Sequence, residues 1–169
     1  MNGIRKIVFL VTVMLGLYCT AFAQTDTVRI RVIGLTCSSC SKSVEEKLIQ
    51  VQFVKSVHMN LNRNEATILV DFSKQVNWNI LAKAVYDAGF SVGAFLVPSC
   101  KTAVYKMNNH TCADNYFFAG DAAISELEKP YYTLIGKKFM DRKLYNAWQQ
   151  KLSMQGNPDP SSVTYYYYY

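Results

Sequence analysis

A chain of 169 residues, 50% of them hydrophobic, can close one well-packed domain with some structure to spare, but not two large ones. Its formal charge of +6 comes from 18 basic residues interspersed with 12 acidic ones. No basic run supplies the clustered positive face that phosphate neutralisation needs, which speaks against nucleic acid as a partner.

Arg5 and Lys6 precede an apolar stretch from Ile7 to Tyr18, and Ala21-Phe22-Ala23 places small residues where signal peptidase requires them. The stretch is shorter than the ~20 residues of a bilayer span. Residues 1–23 therefore read as a cleaved secretory signal peptide, which predicts a periplasmic or secreted protein without a stable membrane span after cleavage. Four cysteines remain in the mature chain: Cys37, Cys40, Cys100 and Cys112. An oxidising compartment leaves such thiols paired unless a metal or a catalytic cycle occupies them. Spacing groups Cys37 with Cys40, and Cys100 with Cys112.

Val28, Ile30 and Val32 alternate with Arg29 and Arg31, the period of a half-buried strand over about Thr27 to Ile33. Gly34-Leu35-Thr36-Cys37-Ser38-Ser39-Cys40 forms a turn, and Val44, Leu48 and Val51 then recur at helical spacing, predicting a helix over roughly Ser39 to Gln50. A second strand follows from Val54 to Asn60, with a hairpin turn at Asn62-Arg63-Asn64. Ala66, Ile68, Val70 and Phe72 mark a third strand in which Leu69 breaks the alternation. Ile80, Leu81, Ala84, Val85 and Ala88 form a second helical stripe, with Asn77 or Asn79 as N-cap and Gly89 placed to end it in a left-handed conformation. Phe90 to Val97 is the last strand, and Pro98 closes the unit.

The order βαββαβ predicts an α+β, ferredoxin-like sandwich, a four-stranded antiparallel sheet with both helices on one face. Residues 27–97 are expected to finish their own core. Residues 98–155 read as a small C-terminal appendage, partly helical: a short helical turn at Ala122, Ala123, Ile124 and Leu127, a hairpin from Tyr131 to Phe139 turning at Gly136, and a helix capped by Asp141 with Leu144, Tyr145, Trp148 and Leu152 on one face. The run from Gly156 to Tyr169 reads as a disordered or unusually placed tail.

The chemistry lies in the turn after the first strand. Two cysteines separated by two residues at a strand-to-helix turn can aim both sulfurs at one point. The second sits in the first helical turn, where free N–H groups and the helix dipole stabilise thiolate. Soft thiolates select copper(I), silver(I) or mercury(II) over hard cations, and two sulfurs alone are too few for a closed tetrahedral zinc site, so zinc enters only as a lesser alternative. The same pair could be a plain structural disulfide or a thioredoxin-like redox pair, although Ser38-Ser39 lacks the aromatic or Pro-containing dipeptide usual in the latter.

Gly34-Leu35-Thr36-Cys37-Ser38-Ser39-Cys40, followed by Val44 and Leu48 and later by Asp87-Ala88-Gly89-Phe90, resembles the heavy-metal-associated domain family over about Thr27 to Val97. The resemblance implies the βαββαβ fold, Cys37 and Cys40 as metal ligands, and Phe90 as an apolar neighbour that shields the site. It also implies that Leu35, where the family usually has Met, packs beneath the loop. Val51-Gln52-Phe53-Val54 departs from the family's Pro-Gly-Val turn. The family's copper chaperones, ATPase domains and secreted mercury-binding proteins imply a metallochaperone that passes its ion to a metal-transporting or metal-accepting protein.

Cys100, Met107, His110 and Cys112 form a second set of soft or borderline ligands. They could hold a second metal, or Cys100 and Cys112 could form a disulfide that staples the appendage. His58 reads as a strand-surface residue. The expected function is therefore non-enzymatic capture and transfer of a soft ion, copper(I) first, with mercury(II) binding or thiol-disulfide oxidoreduction as alternatives.

Overall fold

The computed structural model describes residues 27–99, 106–107, 110–111, 116–119, 130–154 and 165–168. The signal peptide expected at 1–23, Cys100, Cys112 and the helical turn expected around Ala122 to Leu127 lie outside the described residues.

The elements run β1 (Thr27–Ile33), α1 (Ser38–Ile49), β2 (Val54–Asn60), β3 (Glu65–Val70), α2 (Trp78–Asp87), β4 (Ser91–Pro98), β5 (Lys106–Met107), β6 (His110–Thr111), β7 (Tyr116–Phe118), β8 (Tyr131–Ile135), α3 (Arg142–Met154) and β9 (Tyr165–Tyr168). The first six form the expected βαββαβ unit. In β1 and β3 the inward residues Val28, Ile30, Val32, Ala66, Ile68 and Val70 are buried, and they share one core with Val44 and Leu48 of α1 and Leu81 and Val85 of α2. Leu69 breaks the pattern because it lies on the opposite, exposed face.

The ferredoxin-like α+β fold stands as expected, but the sheet is larger than four strands and its core includes C-terminal residues. Among the described residues the sheet has seven strands, in the order β2-β3-β1-β4-β8-β9-β7. The ferredoxin-like four are intact at one side, and β8 pairs antiparallel with β4 through Leu96↔Thr133, Val97↔Tyr132 and Pro98↔Tyr131. Pro98 does not end the pairing: it lacks only a donor, and Ser99 N–H continues to Pro130 O at 2.8 Å. The core is likewise shared. Trp78 and Phe95 are fully buried with ring centroids 6.2 Å apart, Phe95 meets Phe139 at 5.2 Å, and Phe139 meets Tyr165 at 5.6 Å. Tyr132, Leu134, Tyr165 and Tyr167 belong to the same cluster. The C-terminal region thus completes a layer instead of hanging from it.

Tyr165–Tyr168, expected within a disordered or unusually placed tail, is a strand between β8 and β7, antiparallel to one and parallel to the other. A homopolymer fits here because both faces of the strand are covered. Tyr165 and Tyr167 enter the main core, whereas Tyr166 and Tyr168 pack with Ile135, Met140, Tyr145, Trp148 and Leu152 under α3, on the other side of the sheet. No alternation of apolar and polar residues is then needed, and tyrosine suits a position with an apolar body and a polar tip.

Two further expectations are corrected. Tyr131 to Phe139 is not a hairpin: after β8 the chain turns at Gly136 to Met140, with Phe139 N–H on Gly136 O at 2.9 Å, because β4 and β9 already flank β8. In α3, capped by Asp141 Oδ1 accepting from Lys143 N–H at 2.8 Å, Tyr145, Trp148 and Leu152 face the sheet but Leu144 is largely exposed.

Candidate metal site

The site forms where β1 hands over to α1. Gly34 has φ +95°, a conformation that favours glycine, and lets the chain leave the sheet. Leu35 turns inward and is buried, as expected of a residue packed beneath the loop. Cys37 is the N-cap of α1, extended at φ −145° and ψ 161°. Its sulfur takes the place of the usual Ser, Thr, Asp or Asn oxygen: it accepts from Cys40 N–H at 3.2 Å and lies 3.1 Å from Ser39 Oγ. Cys37 O accepts from Ser41 N–H at 3.2 Å, opening the helix, and Ser41 Oγ donates to Ser38 O at 2.8 Å. A negative sulfur at this position faces free N–H groups and the positive end of the helix dipole.

The two sulfurs are joined in a disulfide, with S–S 2.12 Å and Cα–Cα 5.2 Å. The loop thus converges both sulfurs on one point, and in this oxidised form neither is a thiolate. Cys37 is exposed and Cys40 is half-buried against the core, so the pair is open to a reductant or an incoming thiol from one side.

Phe90 reaches the loop through the end of α2. Phe90 N–H bonds to Val85 O at 3.2 Å and Gly89 N–H to Tyr86 O at 2.9 Å, the paired bonds of a Schellman motif, with Gly89 at φ +89°. That turn sets the half-buried Phe90 ring against Gly34, where a Cβ would meet Cδ1 at 3.6 Å. His58 is exposed on β2. Met107 and His110 are register partners in the separate β5–β6 ladder, and Cys100 and Cys112, the other members of the second candidate set, lie outside the described residues.

Among the described residues no group of three or more His, Cys, Asp and Glu side chains is placed to hold a metal, and no helix is long and apolar enough to cross a membrane. Two residues of the loop's surroundings escaped the sequence reading. Ser39 gives a hydroxyl to the first sulfur, and Asn64 lies across the turn with a left-handed φ of 49°. The second was signalled by the Asn-rich turn itself, since asparagine tolerates that conformation best after glycine.

Residues 29–91 match the heavy-metal-associated domain family. The mercuric transport protein periplasmic component of Acinetobacter calcoaceticus is 36% identical over 69 residues, which cover 41% of this chain and 75% of that protein. Its counterpart from Salmonella typhi is 31% identical over 85 residues, covering 50% of this chain and 92% of that one. Among solved structures, oxidized MerP from Ralstonia metallidurans CH34 is 34% identical over 39% of this chain and 93% of its own, with a TM-score of 0.36. The family match ends before β7, β8, α3 and β9. With its βαββαβ unit and its cysteine pair at the start of α1, the chain belongs to the heavy-metal-associated domain family.

Proposed function

We propose that this protein is a non-enzymatic, exported carrier that binds one soft ion between Cys37 and Cys40 and releases it by ligand exchange to a metal-accepting protein. The observation that carries the reading is the convergence of both sulfurs at the exposed N-terminus of α1 within a family-matched domain. Two electrons and two protons from a dithiol reductant first convert the disulfide to two thiols. The thiols lose their protons as the ion enters, and the helix N-terminus favours the resulting negative charge. An acceptor thiolate can then attack the low-coordinate ion from the exposed side before Cys37 or Cys40 departs.

Copper(I) and mercury(II) both suit two-sulfur coordination. The sequence reading places copper(I) first, and the mercuric transport relatives support mercury(II) equally. Reduced protein titrated with each ion against a competing chelator, beside a Cys37→Ser, Cys40→Ser double variant, tests the reading. Equal affinity in the two proteins removes it, and the tighter of the two ions names the cargo.

The disulfide itself supports a second reading, thiol-disulfide exchange with Cys37 as attacking thiol. A disulfide reductase assay separates the two, since a carrier shows negligible turnover.

A further inference from the structure

We propose that Asn64, in the turn between β2 and β3, is a positioning residue for the metal-binding loop; this rests on reading Cys37 and Cys40 as the metal site. Among the described residues Asn64 is the non-glycine position with positive φ, at 49°. Its carbonyl accepts from Val32 N–H at 2.8 Å, near the end of β1. Its side-chain amide, oriented so that the nitrogen faces the two neighbouring carbonyls, donates to Leu61 O at 3.0 Å and to Leu35 O at 3.1 Å. One residue therefore binds the strand that leads into the loop, its own turn, and the loop backbone two residues ahead of Cys37.

The other holds on this loop are of a different kind. The buried Leu35 side chain and the Phe90 ring against Gly34 are apolar contacts, which fix a distance but little orientation. The hydrogen bonds of Cys37, to Cys40 N–H, Ser39 Oγ and Ser41 N–H, are all made with the first turn of α1. The Asn64 amide adds a directional link from the neighbouring β2–β3 turn to the segment that must stay still while two sulfurs hold one ion. Of the three states of the pair, the dithiol leaves the loop freest, while the disulfide and the ion-bound form both require close sulfurs. Loosening the loop should weaken those two relative to the dithiol.

The experiment compares wild type with Asn64→Gly, which accepts the backbone conformation without the amide, and with Asn64→Asp, which keeps the shape but turns a donor into an acceptor facing two carbonyls. Copper(I) affinity of the reduced proteins is measured against bicinchoninate, and the disulfide potential against a dithiothreitol redox buffer. In both variants affinity should fall about threefold to tenfold, the range set by one or two lost hydrogen bonds. The potential should rise by about 14 to 30 mV, the same factors for a two-electron couple. Affinity within twofold of wild type together with a potential within about 9 mV of it would overturn the proposal, as would loss of the fold in both variants, which assigns Asn64 to the fold alone. Should wild type bind no copper(I), it is the carrier reading that fails, and the potential alone then decides for or against Asn64.

Discussion

The indole Nε1 of Trp78 donates to the hydroxyl of Tyr116 at 2.6 Å, joining the helix α2 of the βαββαβ unit to the strand β7 at the far edge of the sheet. Trp78 is fully buried and also meets Phe53, Phe72 and Phe95 edge-on or tilted, so it stands at the centre of the shared core. Tyr116→Phe removes this acceptor while keeping the ring that packs on Tyr132 and Tyr167. We expect a loss of about 0.5 to 1.5 kcal/mol, the net worth of one hydrogen bond, read as a lower urea midpoint at unchanged m-value.

Removing Tyr165–Tyr169 tests whether the C-terminal strand is structural. The deletion takes Tyr165 and Tyr167 out of the core and removes the strand that links β7 to β8. At roughly 1.5 to 3 kcal/mol for each buried aromatic, the expected loss is about 3 to 6 kcal/mol. Amide exchange should speed first in β7 and β8, with β1 and β3 protected longest; unchanged exchange in β8 would show the strand to be dispensable.

Alkaline pH should act through the same strand. Burial pushes the Tyr165 phenol from its ordinary 10.0 up to about 12, against hydrogen bonds at Asn79 and Trp78 that favour the ionised form, and burial also raises Tyr168. The neutral phenol is thus favoured by folding. Its contribution, about 2 to 3 kcal/mol, is fully present below pH 10 and disappears as the pH climbs through 12. A Tyr165→Phe variant should lose less stability over that interval than wild type. Equal pH slopes in chemical denaturation would count against the assignment.

Reduction of the Cys37–Cys40 bond should leave the fold standing. The bond closes a loop with a sequence separation of only 3, for which chain entropy gives at most about 2 kcal/mol. Cys37 is exposed and lies outside the core. Far-ultraviolet circular dichroism should be unchanged by dithiothreitol, with a modest fall in midpoint. Unfolding on reduction would make the bond structural and leave no folded dithiol to receive an ion.

Much of the βαββαβ unit was legible because its residues interact locally. Alternation in β1, the Asn77 cap and the Gly89 stop each depend on neighbours a few residues away, and Asn77 Oδ1 does accept from Asn79 N–H at 3.0 Å. Cys37 and Cys40 announced themselves through spacing at a strand-to-helix turn. Boundaries moved by a residue or two, as at β3, which ends at Val70 rather than Phe72.

What the chain could not announce was which partners its later segments would meet. A run of five tyrosines carries no period, so nothing local distinguishes a two-sided central strand from an unstructured end. Only the arrival of the main core on one face and α3 on the other decides it. The oxidised state of the cysteine pair, the reach of Asn64 to Leu35 and the bond between Trp78 and Tyr116 are likewise tertiary facts. Each depends on bringing together atoms whose positions are fixed by the rest of the fold, whereas residue type and spacing alone determine the strands, helices and caps from which that fold is assembled.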